Sequence, residues 1–164
     1  MPNVVIKTLP WHIIATGLHF MQFANRYNDA AMMLEASESD QAFDPVLYHL
    51  YCQSLELHLK SFIWLKCGTD SNTFKNHYRH DLALLWKDSK THGISRFASV
   101  TKLRNDIIAL VSPFYCKRRF SYLDVDMAFR GAVRLRSEKR ITPTLRRLNI
   151  QLGRSLRSPI LRAS

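Results

Sequence analysis

Acidic residues thin out toward the end of this sequence. Residues 117–164 hold 3 Asp and Glu against 13 Lys and Arg, a net of +10, whereas residues 1–116 hold 10 against 11, a net of +1, together the +11 of the chain. Glycine is scarce too, with 5 in 164 residues, and no stretch alternates apolar and polar residues for long enough to make a strand. An all-α fold is expected. No apolar run reaches the roughly 18 residues of a membrane-spanning helix, so no membrane span is expected. The first twenty residues lack the charged start, clean apolar run and small-residue cleavage site of a signal peptide. The three cysteines, Cys52, Cys67 and Cys116, are odd in number and far apart. That speaks against a disulfide framework and a zinc site and suits a reducing cytoplasm. No metal or other cofactor is implied.

What is present is helical periodicity over a length that suits one core. Helix one is expected from Pro10 to about Ala36, with Gly17 as a weak point, and a loop over 36–45 follows. Asp44-Pro45 makes a helix start, and Gly68 a left-handed stop, for helix two over 45–67. At 100° per residue, His49, Gln53, Glu56 and Lys60 fall within a stripe about 60° wide on an otherwise apolar helix. Helix two is therefore the central helix of a bundle, with one polar seam and His58 on the opposite side. A polar loop is expected over 69–79, then helix three from His80-Asp81 to Gly93 with Asp81 as cap. Helix four is expected from Ser95 to Val111, ending at Ser112-Pro113, with an aromatic and arginine-rich connector over 114–124 and a fifth helix from Asp124 to Ser137. After Thr142-Pro143, Ile141, Leu145, Leu148, Leu152 and Leu156 line one face and Arg146, Arg147, Arg154 and Arg157 another. That is a basic amphipathic helix, broken at Gly153 and ended by Pro159. The expected layout is an antiparallel bundle of four to five helices over 1–124 and a basic helical extension over 125–164.

Ser54, Glu56, Leu59 and Lys60, then Gly68, then His80-Asp81-Leu82 follow one another in an order that resembles the HEPN family, the higher eukaryotes and prokaryotes nucleotide-binding domains. The family pattern is a helix of type S-x-E-x-x-L-K, a glycine, a variable loop and a Gly-His-Asp-Leu step into the next helix. Tyr115 and the run Arg118-Arg119-Phe120-Ser121-Tyr122 match a later tyrosine and arginine-aromatic pair, so the resemblance spans roughly residues 15–125. It implies a helical bundle that pairs into a homodimer and binds RNA or a nucleotide. Two departures stand out. Arg79 occupies the position of the family's glycine. The arginine-then-histidine motif of HEPN ribonucleases is missing: Arg104-Asn105 is followed by Leu110 and Val111 where a histidine belongs, and only the lysine version Lys75–His80 comes near it.

Each polar feature has a plain and a functional meaning. Glu56 and Lys60 are an i,i+4 pair in the favourable order, contributing a few tenths of a kcal/mol if exposed; the resemblance makes them cleft residues. His58 is expected to be a core histidine with one hydrogen-bond partner, and Asp81 a helix cap. Tyr115, Arg118, Arg119, Phe120 and Tyr122 mix rings and guanidinium groups that suit bases and phosphates. The one-signed basic end suits a polyanion.

Three functions follow as expectations. The first is a non-catalytic module binding RNA or nucleotides through Glu56, Lys60, Asp81, Tyr115, Arg118, Arg119, Tyr122, Arg146, Arg147, Arg154 and Arg157. The second is a metal-independent endoribonuclease of toxin or defence type, with His80, Arg79 and Lys75 as catalytic residues. The third is an antitoxin-like or regulatory subunit whose basic helix docks on an acidic protein.

Overall fold

The computed structural model describes residues 16–37, 44–69, 71–120, 135 and 139–163. Among the described residues every regular element is helical: α1 (Gly17–Ser37), α2 (Pro45–Cys67), α3 (Ser71–Thr73) with a π turn (Phe74–Tyr78), α4 (Leu82–Thr91), a 3-10 turn (Ile94–Arg96), α5 (Lys102–Cys116) and α6 (Ile141–Ala163). The start of helix one, the expected fifth helix over 124–137 apart from the buried Leu135, and Tyr122 lie outside the described residues.

Helix α2 organises the molecule because its ends are fixed by sequence and its middle is apolar almost all round. Asp44 accepts from the Val46 N–H, Pro45 needs no partner in the first turn, and Gly68 closes the helix at φ 61°. Tyr51, Leu55, Leu59 and Phe62 are wholly buried, with α1, α4, α5 and α6 around them. Ser54 and Ser61 each donate through Oγ to a carbonyl of α1, on Ala24 and Gly17. These two bonds set α1 antiparallel to α2. Gly17 is the point of closest approach rather than a weakness: a Cβ there would sit 2.4 Å from the Trp64 ring.

The basic segment is a wall of the bundle. Ile141, Leu145, Leu148, Leu152, Leu156 and Ile160 of α6 are all fully buried against α1 and α2, each stabilising the fold by about 1.5–3 kcal/mol. Helix α6 runs unbroken through Gly153 and past Pro159. A Cβ at 153 would stand 2.7 Å from the Asn25 carboxamide and 3.2 Å from the His58 ring, so this glycine marks a tight crossing and not a break.

Other boundaries also moved. Helix four begins at Lys102, capped by Thr101, and carries Pro113 inside it to end at Cys116. Proline removes a single N–H there, one turn from the end, while Val111 and Tyr115 on either side are buried. The expected polar loop over 69–79 is largely helical, with α3 running into the π turn, because Phe74 and Tyr78 are buried in the core. Asp81 caps α4 as expected, accepting from the Leu84 N–H. No helix among the described residues is long and apolar enough to cross a membrane. Cys52 is buried, whereas Cys67 and Cys116 are exposed and all three are free.

Candidate functional site

The polar seam of α2 is neither solvated nor a simple exposed pair. Glu56 is 1% exposed. Its Oε1 accepts from Lys60 Nζ at 2.5 Å, and its Oε2 accepts from Tyr115 Oη at 2.5 Å and lies 3.0 Å from His80 Nδ1. Burial pushes the Glu56 carboxyl upward, but the hydrogen bond from His80, the charge and hydrogen bond of Lys60 and the Tyr115 hydroxyl outweigh it, and the group stays below the usual carboxylate range. The Tyr115 hydroxyl is pushed far up by burial and by the Glu56 charge, so it remains a donor. Gln53 Oε1 is also 2.5 Å from that hydroxyl. One proton cannot serve both oxygens. It goes to the carboxylate, the stronger acceptor, and the Gln53 amide meets the hydroxyl oxygen through its NH2 end.

His80 is thereby oriented. Arg118 Nη2 lies 3.3 Å from His80 Nε2, and a guanidinium can only donate. The tautomer that fits carries hydrogen on Nδ1, donated to Glu56, and a lone pair on Nε2 that accepts from Arg118. His49 lies on the same seam, its ring 5.9 Å from that of Tyr115, and burial lowers its pKa.

Above this cluster opens a cavity of about 460 Å³ lined by Phe20, Lys60, Phe74, Lys75, Arg79, His80 and Arg118. Lys60 is answered by Glu56. Lys75, Arg79 and Arg118 have no carboxylate within ion-pair distance among the described residues. Arg79 adopts φ 46° and ψ −116°, a conformation suited to glycine. Its carbonyl oxygen accepts from Lys60 Nζ at 3.3 Å. Strain of about 1–3 kcal/mol is held at the rim of the cavity.

Of the residues expected to bind or react, Glu56, Lys60, His80, Arg79, Lys75, Tyr115 and Arg118 come together. Their roles are unequal. Tyr115 is 3% exposed, so its ring is closed to a stacked base and it serves to hold Glu56. Asp81 faces its own helix and Ser112. Arg119 is half-buried, and Phe120, buried, stacks on Phe114. The α6 arginines belong elsewhere: Arg146 pairs with Glu35 at 3.1 Å, Arg147 is exposed, and Arg154 and Arg157 line a different groove. Gln53 was absent from the expected set, although its place in the polar stripe pointed to it. Tyr115 was misplaced in a connector because Pro113 looked like a helix end.

His58 forms a second, neutral cluster. It is fully buried, and burial pushes its pKa down to about 4. It has two partners rather than one: Nδ1 lies 3.2 Å from Asn149 Oδ1 and Nε2 3.2 Å from the Asn25 carboxamide. Asn149 spends its NH2 on the Tyr51 carbonyl at 3.0 Å, so it accepts from His58 Nδ1. Nε2 then accepts from the NH2 end of Asn25.

Among the described residues no group of His, Cys, Asp and Glu could hold a metal ion. No protein-family model matches this chain, and neither a curated protein nor a solved structure gives a match.

Proposed function

We propose that this chain is a HEPN-type binding module that takes a phosphate group of RNA or of a nucleotide in the cavity beside His80. The observation that supports this most directly is charge balance. Around one small cavity stand three cationic side chains with no carboxylate to answer them among the described residues, while Glu56 beneath it is buried and fully engaged. An anion entering there meets Lys75, Arg79 and Arg118 without displacing an existing ion pair. The strained turn at Arg79 gives a reason for the geometry, since strain of this kind persists where the surroundings fix it and gathers at functional sites. Pairing of two copies is part of the HEPN reading and is checked by sedimentation.

Deleting α6 is unsuitable as a test, because it strips six buried apolar side chains from the core. Point substitutions serve instead. Labelled single-stranded RNA is titrated by anisotropy in EDTA at stepped salt. Log affinity is expected to fall by about 0.7 per phosphate for each tenfold rise in salt, and Arg118→Ala and Lys75→Ala are each expected to lower that slope by about 0.7. Absence of binding in dilute buffer, or slopes untouched by both variants, overturns the proposal.

A second reading, phosphodiester cleavage, is favoured by one feature: His80 holds Nδ1 on a buried carboxylate and turns the Nε2 lone pair toward Arg118 and the cavity. Such a histidine can take the proton of a ribose 2′-hydroxyl as the 2′-oxygen bonds to phosphorus and the P–O5′ bond breaks, the 5′-oxygen taking a proton from water, to give a 2′,3′-cyclic phosphate and a 5′-hydroxyl. Cyclic-phosphate ends that form in EDTA and vanish with His80→Ala support this reading; intact RNA removes it.

A further inference from the structure

A larger cavity, about 800 Å³, lies between α1 and α6, away from the His80 cluster. The two helices are antiparallel, for Arg146 meets Glu35 near one end and Gly153 lies against Asn25 further along. The α1 side carries Gln22, Asn25 and Asn28 at every third residue, flanked by Leu18 and Met32. None of these carboxamides is used up. Asn25 has one amide end on His58 and no partner for the other among the described residues. Among the described residues Asn28, 7% exposed, makes only a weak contact to Met32 Sδ, and its Oδ1 has no partner. The α6 side offers Arg154 and Arg157, both exposed, with Leu161 beyond them. Asp29 stands on the α1 rim toward the Met32 end.

We propose that this groove binds an extended peptide segment of a partner protein, with an acidic residue toward Arg154 and Arg157. A carboxamide presents a donor and an acceptor side by side, which is what the N–H and C=O of an extended chain require. A helix laid in the groove has already spent those groups on itself and leaves the carboxamides without work. The dimensions agree. From Leu18 to Met32 a helix advances about 21 Å, the span of about six residues of extended chain at roughly 3.3 Å each. Charge sets direction, with two arginines drawing a carboxylate to the Leu18 end and Asp29 repelling one from the other. Gly153 keeps the floor open, since any side chain there meets Asn25. This site is independent of the phosphate cavity.

The probe is a panel of fluorescein-labelled, end-capped hexapeptides with a Ser–Val background and a single Glu or Lys at each position in turn, titrated by anisotropy onto the full chain. Saturable binding is expected for Glu in one terminal half of the peptide, at least tenfold tighter than for Lys at the same place. Arg154→Glu with Arg157→Glu is expected to invert that preference, Gln22→Ala to weaken all peptides several-fold, and Arg118→Ala to change nothing. Circular dichroism confirms that the variants are folded. Failure of every peptide to saturate, or a preference indifferent to the double charge reversal, overturns the proposal. So does the case in which the double reversal weakens only RNA binding, which makes the groove a nucleic-acid surface. A shift from dimer to monomer in sedimentation without peptide binding assigns the groove to a second copy and overturns it equally.

Discussion

Helix α2 carries two buried polar clusters on opposite sides, and they solve burial differently. Around Glu56 the groups are charged: an acid with a lysine, a histidine and a tyrosine on its two oxygens. Around His58 they are neutral, an imidazole between two amides. The first opens onto a cationic cavity, and the second is sealed beneath the α1–α6 groove. A buried charge requires several partners to be tolerable. Once assembled, those partners also fix the tautomer and aim of His80. A neutral cluster needs less and fixes mainly the packing of three helices.

The contrast is tested hardest by removing one member from each. Glu56→Ala leaves Lys60 buried and unanswered and is expected to cost about 3–5 kcal/mol in urea unfolding. Asn149→Ala leaves a buried imidazole N–H unmet and removes the second hydrogen bond to the Tyr51 carbonyl, and is expected to cost about 1–3 kcal/mol. Equal losses would erase the distinction between the clusters.

Acid separates them next. His58 has a folded pKa of about 4 against an ordinary 6.5. The unfolded chain therefore takes up a proton first, and stability is lost as pH falls from 6.5 toward 4, by roughly 3 kcal/mol. Glu56 is also depressed. Its contribution is intact above the usual carboxylate pKa and is lost only as pH falls through its lower folded value. Urea midpoints followed from pH 7.5 downward are expected to show the upper loss in the parent and a much shallower one in His58→Gln, where of these two histidines only the depressed His49 remains. A parent that is flat above pH 5 contradicts the sealed, neutral histidine.

The smallest test exchanges glycine between the two clusters. Arg79→Gly relieves a conformation made for glycine and is expected to gain about 1 kcal/mol. Gly153→Ala gains about 1 kcal/mol of helix propensity but meets Asn25 and His58, for a net loss of up to about 2 kcal/mol. Thermal melts of both variants read the opposite signs directly.

Much of this was legible beforehand. The start and stop of α2 stood in Asp44-Pro45 and Gly68, because caps act locally. The apolar face of α6 stood in its spacing, and His80-Asp81 marked the start of α4. What escaped depends on residues distant in the chain. Nothing near Gly153 says that Asn25 will press against it, so a glycine in a helix read as a break. Pro113 and Pro159 read as stops because the burial that carries the helix past them comes from other helices. The Glu56 cluster was half visible: the stripe of His49, Gln53, Glu56 and Lys60 was plain, but its meeting with Tyr115 and His80 is made by tertiary packing.

The three thiols give the molecule a built-in gauge of its own opening. Cys67 and Cys116 meet solvent and are reachable by an alkylating reagent in the native fold, while Cys52 lies in the heart of α2 with its ionisation pushed up by burial. The slow third alkylation thus clocks how often the central helix is uncovered, and a ligand that steadies the bundle at either cavity lengthens that interval.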